Sequence, residues 1–330
     1  MTTSRHIVAL LKSHIAGDED HFLTVAMQLA AHEARQGHGK LAQELRDLID
    51  HAKERKSAVV PKRSGPVPLV QAKGELANLL TVRYSDVRLS SMVLTDEIEG
   101  RLRRTLLEQT QQSVLRNHGL SPRRKLLLVG PPGAGKTMTA AALAGELHLP
   151  LFTVVLDSLI SKFMGDTAGK LRLVFDAMRM TRGVYLFDEF DAIGAKRSSE
   201  NDVGEIRRVL NSFLQFLEQD DSDSLIIAAT NYPDLLDRAL FRRFDDVIEY
   251  DLPDAGLLER LMRNRLAAFQ APRLAWSKVA DAAKGLSHAE AARAADEAAK
   301  TTILAGSTKI TTSALLTAVT ERQKAARHQD

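Results

Sequence analysis

The sequence predicts an α/β fold, a parallel sheet sandwiched by helices, with a helical module before it and a smaller all-helical domain after it. Three observations lead there. Between Lys125 and Asp251 short apolar runs alternate with amphipathic stretches, the pattern of buried parallel strands joined by helical crossovers. From Ala255 onward the pattern becomes almost wholly helical, with Leu257, Leu258, Leu261 and Leu266 in one stripe and alanine-rich segments after it. Ahead of the sheet, apolar residues recur at helical spacing from Ser4 to about Ala52.

Taken in order, breaks at Ala16-Gly17-Asp18 and at Gly37-His38-Gly39 divide that first stretch into three helices. They carry Ile7, Leu10, Leu11 and Ile15, then Phe22, Ala26, Leu29 and Ala30, then Leu41, Leu45, Leu48 and Ile49. The histidines among them, His14, His21, His32, His38 and His51, lack metal-ligand spacing. From Lys53 to about Lys73 the chain turns basic and holds three prolines, which reads as a linker. Asp96 to about Asn117 reads as a helix leading into the apolar strand Lys125 to Val129. Leu151 to Val155, Val184 to Phe187 and Leu225 to Ala229 supply the next strands. The expected division is a helical module over 1–55, a linker over 56–75, an α/β domain over 76–251 and a helical domain over 252–330.

Composition narrows the class. The 330 residues are 44% hydrophobic and 26% charged, a globular balance long enough for two or three full-sized cores. No cysteine is present, which excludes disulfides, zinc-thiolate sites and cysteine nucleophiles and suits a reducing compartment. No run approaches the roughly 18 apolar residues that span a bilayer, and the first residues carry charge within their short apolar pattern, unlike a secretory leader. The expectation is a soluble, cytoplasmic protein. A formal charge of +3 gives no ground for a nucleic-acid partner.

The chemistry starts at Gly130-Pro131-Pro132-Gly133-Ala134-Gly135-Lys136-Thr137, directly after an apolar strand and before the helix-forming run Met138 to Leu147. This spacing is that of a phosphate-cradling P-loop. Its glycines let successive N–H groups point at phosphates, and the helix adds its positive end. Gly130 to Met138 form the expected nucleotide-binding set. Lys136 would reach the β- and γ-phosphates, and Thr137 would coordinate Mg²⁺. A P-loop alone leaves kinase, GTPase, helicase and motor open. The apolar strand Val184 to Phe187 then delivers Asp188 to the metal and places Glu189 to polarise an attacking water.

With GPPGAGKT at Gly130, YLFDEFDAIGAKR from Tyr185 and IIAATNYPDLLDRALFRRFDDVIEYDLPD from Ile226, the chain resembles the AAA ATPases, in the group of katanin-like, proteasomal and FtsH ATPases, over about 94–320. The resemblance implies ATP and Mg²⁺ as ligands and a homo-oligomeric ring, expected to be a hexamer. It implies that Asn231 senses the γ-phosphate and orients the water, and that Arg242 and Arg243 act on the nucleotide of a neighbouring subunit. Two departures stand out. His288 occupies the place of a glycine in the family's Gly-Ala pair, and Leu217 to Asp223 lack the Asp-Gly-Phe of several relatives.

Ser161 to Thr167 resemble the family's pore loop, with Lys162, Phe163, Met164 and Gly165 expected to grip an extended polypeptide. A second polar loop is expected from Arg197 to Glu205. The resemblance implies an ATP-driven unfoldase or remodelling machine acting on protein substrates through pore loops. No HEXXH helix occurs, so degradation would need a separate protease or adaptor; disassembly of complexes is equally open. A nucleic-acid motor or loader and a nucleotide-dependent switch are the alternatives. The first lacks a DNA-binding module, and the second sits poorly with an intact Glu189, Asn231 and arginine pair.

Overall fold

The computed structural model describes residues 25–27, 29, 30, 43, 74–159, 164–191, 200–236, 238–269 and 274–326. Met1–Val70 and Gln71–Asp330 form separate units. In the first, residues 25–27, 29, 30 and 43 are helical, and Ala26 and Ala30 of the expected apolar face are buried. The rest of the helices expected over 4–52, and the linker over 53–73, lie outside the described residues.

The second unit opens with α1 (Leu76–Leu79) and β1 (Leu80–Arg83), followed by α2 (Asp96–Thr110) and α3 (Gln112–Asn117). Thr95 caps α2 by accepting from the Ile98 N–H, and Asp96, Glu97 and Glu99 load its first turn with the charge that a helix N-terminus favours. The single helix expected over 96–117 is therefore two, divided at Gln111. Next come β2 (Lys125–Val129), α4 (Lys136–Leu147), β3 (Leu151–Val154), α5 (Leu156–Leu159), α6 (Met164–Met180) and β4 (Val184–Phe187). α7 (Glu200–Gln219), β5 (Leu225–Thr230), α8 (Arg238–Phe241) and β6 (Asp246–Glu249) complete the sheet region.

The sheet has six strands in the order β1-β3-β4-β5-β2-β6. It is mixed: β3, β4, β5, β2 and β6 run parallel, and β1 closes the edge antiparallel to β3, from Leu80 opposite Val154 to Arg83 opposite Leu151. The inner strands β4 and β5, and β2 beyond Lys125, are buried on both faces, which is why they read as apolar runs, whereas the edge strand β6 buries only Ile248. Strand β4 shows the division of faces. Val184 and Leu186 pack with Leu102 of α2, Ala140 and Leu143 of α4 and Leu126 of β2. On the opposite face Phe187 meets Phe175 of α6 and Phe213 of α7, with ring centroids 6.2 and 5.0 Å away. Burial of each such ring contributes roughly 1.5–3 kcal/mol.

Four helices follow: α9 (Ala255–Arg265), α10 (Trp276–Ala282), α11 (His288–Leu304) and α12 (Thr312–Ala326). Asp254 caps α9 at Leu257 N and Ser287 caps α11 at Glu290 N. Their core joins Leu258, Met262, Val279, Leu315 and Val319 to the alanine face Ala291, Ala294, Ala295 and Ala298. Among the described residues, two hydrogen bonds tie these helices to the sheet region: Arg260 donates to Leu94 O at 2.7 Å, and Ala289 N donates to Gly133 O at 3.0 Å.

Candidate functional site

Strand β2 ends at Val129, and the chain then turns through Gly130, Gly133 and Gly135, at φ of +148°, +75° and +104°, before α4 begins at Lys136. Two of these positions admit no side chain. A Cβ at Gly130 would stand 2.3 Å from Tyr250 O, and one at Gly133 would stand 2.6 Å from Ser287 Oγ. The loop is thus clamped between the end of β6 and the start of α11. Tyr250 fixes one side, with its N–H on Val129 O at 2.7 Å and its buried hydroxyl 2.7 Å from Thr139 Oγ1.

Lys136 is buried, and its ammonium donates to Gly130 O (2.7 Å), Pro131 O (2.9 Å) and Asn231 Oδ1 (2.8 Å). Burial pushes its pKa below the usual lysine value, with Asp188 and Asp191 pulling the other way. A buried ammonium whose direct partners are neutral oxygens suits a polyanionic ligand, which would supply the missing countercharge. Thr137 Oγ1 donates to Asp188 Oδ2 at 2.7 Å, so the two expected Mg²⁺ ligands are already neighbours.

Glu189 follows in the left-handed region, at φ +51°, a conformation that costs roughly 1–2 kcal/mol for a residue with a side chain. Its surroundings hold it there. The Glu189 N–H bonds Asp188 Oδ1 at 3.0 Å, Phe190 N bonds Ala229 O at 2.8 Å, and the Phe190 ring packs 4.7 Å from that of Phe213. With the strand anchored on both sides of the turn, the carboxylate is left exposed at the cleft.

Asp191 was not singled out by its sequence context, yet it fixes the partner of Lys136. It accepts from Thr230 Oγ1 (3.1 Å) and from Asn231 N (3.2 Å), while Thr230 Oγ1 also accepts from Tyr232 N at 3.2 Å. Asn231 therefore stands on a turn held by a carboxylate. Replacing Asp191 by alanine should lower kcat for ATP about tenfold or more with little change in KM, since misplacing a positioning group weakens the reacting geometry more than binding. Steady-state ATPase assays check this, with Asp191→Asn expected to recover part of the loss; a rise in KM at unchanged kcat would contradict it.

These groups open onto a cleft of about 790 Å³. One end is formed by Lys136, Thr137, Asp188, Glu189 and Asn231, and the other by Ser90 to Leu94 together with Leu261, Asn264 and Arg265 of α9 and His288, Ala289 and Ala292 of α11. The expected residues Pro132 to Met138 line it, while Gly130 and Pro131 hold the loop from behind. His288, half-buried, brings an imidazole to this wall; both ring nitrogens are buried and neither completes a hydrogen bond among the described residues, a state that costs roughly 1–3 kcal/mol per buried group. Burial pushes its pKa below the usual histidine value, against a smaller opposite effect of the Val93 backbone.

Residues 126–252 match the family described as "ATPase family associated with various cellular activities (AAA)". An uncharacterized AAA family ATPase, y4kL of Sinorhizobium fredii, is 34% identical over 300 residues, covering 89% of each chain. The chain belongs to the AAA ATPase family. It binds and hydrolyses ATP. The proteasome-activating nucleotidase of Aeropyrum pernix is 37% identical over 78% of this chain, which spans 64% of that protein. The ATP-dependent zinc metalloprotease FtsH 1 of Methylacidiphilum infernorum is 33% identical over 68% of this chain, which spans 36% of that one. Among solved structures, the FIGL-1 AAA domain superposes with a TM-score of 0.61 at 21% identity, over 81% of this chain and 98% of its own, a likeness of fold.

In this AAA ATPase neither expected arginine lines the cleft of its own chain. Arg242 is exposed and pairs with no side chain among the described residues, whereas Arg243 forms an ion pair with Glu218 near the end of α7. Lys162 and Phe163 lie outside the described residues. Met164 and Gly165 are the first residues of α6, so the stretch read as a loop through Thr167 is helical from Met164 on. Likewise the loop expected over 197–205 is helical from Glu200, because α7 carries its amphipathic pattern further toward its N-terminus than the polar sequence suggests. No helix among the described residues is long and apolar enough to cross a membrane.

Proposed function

We propose that this ATPase works as a homo-oligomeric ring, a hexamer, in which each cleft is completed by Arg242 and Arg243 of a neighbour and hydrolysis drives protein remodelling. One observation carries the reading: the cleft gathers Lys136, Thr137, Asp188, Glu189 and Asn231 but neither arginine. A site short of its charge-stabilising arginine gains rate only when another subunit supplies it. Thr137 and Asp188 would hold Mg²⁺, which when bound would screen phosphate charge. Glu189 would take the proton of the attacking water, and Asn231, held by Asp191, would orient that water.

Protein is the proposed substrate. The motif Lys162-Phe163-Met164-Gly165 supports this, as do relatives whose names are proteasome-activating nucleotidase and ATP-dependent zinc metalloprotease. Any degradation in this reading falls to a separate protease. In this reading residues 1–55 recruit the client or an adaptor, 56–75 tether them, 76–251 carry the nucleotide site and 252–330 form its helical lid, in the cytoplasm. Phe163→Ala should reduce unfolding of a tagged fluorescent protein at least about tenfold more than it reduces ATP turnover, because an apolar grip acts on the client and not on phosphate. Parallel unfolding and ATPase assays read the two losses, and equal losses would remove the threading model.

A further inference from the structure

A single residue grips the P-loop at both of its ends. Tyr250 directly follows β6 and is buried. At the start of the loop its N–H donates to Val129 O at 2.7 Å, and its own carbonyl oxygen lies so close to Gly130 that a Cβ there would stand 2.3 Å away. At the other end its hydroxyl meets Thr139, fully buried in the first turn of α4. Thr139 Oγ1 donates to Gly135 O at 3.1 Å, and the Thr139 N–H donates to the same oxygen at 2.8 Å. A hydroxyl has one proton to give. With that proton on Gly135 O, the Tyr250 hydroxyl is the donor to Thr139 Oγ1, 2.7 Å away. Burial pushes the Tyr250 pKa up to about 12, against a smaller opposite effect of the Thr139 bond, so the phenol keeps its proton at neutral pH.

This relay of hydroxyls ends on the peptide that opens α4. Both lone pairs of Gly135 O are taken from the helix side. A peptide is planar and trans, so fixing this carbonyl along the helix fixes the Lys136 N–H in the opposite direction, toward the loop. That N–H is among the first of the helix, which have no partner within it, and Gly135 and Lys136 line the phosphate end of the cleft. Gly135, at φ +104°, has no side chain of its own with which to hold the orientation. We propose that Tyr250 is a positioning residue for nucleotide binding: through Thr139 it holds the Gly135–Lys136 peptide with its N–H aimed at the phosphates before ATP arrives. The proposal rests on the cleft being the ATP site. Such pre-organisation sets affinity, because a loop already in its bound geometry loses less freedom on binding.

Isothermal titration of the full chain with ATP and ADP, beside thermal unfolding without nucleotide, tests this. Tyr250→Phe should bind both nucleotides about fivefold more weakly, and its KM for ATP should rise by a similar factor while kcat falls less than about twofold. Thr139→Val should lose about tenfold in affinity, whereas Thr139→Ser, which keeps the hydroxyl, should stay within about twofold of the wild type. The paired variant Tyr250→Phe/Thr139→Val separates positioning from packing. Each single substitution strands a buried polar partner and should lower the unfolding temperature; removing both partners should recover most of it, since apolar replacement of a bonded pair at the same shape is nearly neutral. Affinity should not recover with it: the paired variant should remain about tenfold weak, because Gly135 O still lacks the hydroxyl. Affinity that returns together with stability would reduce Tyr250 and Thr139 to core packing and overturn the proposal. So would unchanged affinity in both single variants, or a fall in kcat at unchanged KM. Lys136→Ala is the control for the cleft itself: if it binds ATP and ADP as the wild type does, the location of the site fails, and not only the role of Tyr250.

Discussion

Glu189→Gln should bind ATP with wild-type affinity within a few-fold and lose turnover by about 10²- to 10⁴-fold, the range of a general base. The structure makes this a clean substitution. The Glu189 carboxylate has no hydrogen bond or ion pair among the described residues, and the turn that carries it is fixed by its own N–H on Asp188 and by Phe190. Glutamine keeps the shape and the left-handed turn while removing the proton acceptor. Nucleotide titration and single-turnover hydrolysis measure the two effects separately. Robust turnover would show that another group takes the proton. If the variant behaves as expected, it also becomes a trap, because an assembly stalled with ATP should retain its client and any associated protease through affinity purification.

The second large effect belongs to the arginines. Changing Arg242 and Arg243 together to alanine should cost about 10³ to 10⁵ in kcat while leaving ATP affinity close to wild type, since neither residue lines the cleft of its own chain. The stability change should be small. The ion pair of Arg243 with Glu218 joins two side chains each 43% exposed, and such pairs contribute about 0–1 kcal/mol. The double variant should therefore fold, bind and fail to turn over. Thermal unfolding beside steady-state ATPase activity checks both halves, and a fall in unfolding temperature that matches the loss of activity would point to a structural role for the pair.

Much of this site was legible in the order of residues because its parts are local. A glycine-rich turn between an apolar strand and a helix declares itself, and so does an acidic pair at a strand end. What escaped depends on distance in sequence. Strand β1 is a four-residue edge with only Leu80 buried, too short and too exposed to show an apolar run. Strand β6 reads Asp-Val-Ile-Glu, and the carboxylate of Asp246 is explained by Arg101 and Arg123, more than a hundred positions earlier in the chain. The clamp on the P-loop comes from Tyr250 and Ser287, and the far wall of the cleft comes from Ser90 to Leu94 and from α9 and α11. None of these carries a motif. The one visible signal was His288 in place of a glycine, which marked the wall without saying what it faces. Asp191, two residues beyond Glu189, takes its role from bonds to Thr230 and Asn231, about forty positions away.

In the proposed ring one subunit holds the nucleotide and its neighbour completes the site. Mixing tests it most directly. Lys136→Ala chains keep their arginines but cannot hold ATP, and Arg242→Ala/Arg243→Ala chains hold ATP but lack the arginines, so each alone should be inactive. Combined in equal amounts under conditions of assembly, they should recover ATP turnover at interfaces where an intact Lys136 meets intact arginines. Mixtures that stay as inactive as their components, although shown by cross-linking to contain both variants, would contradict the shared site.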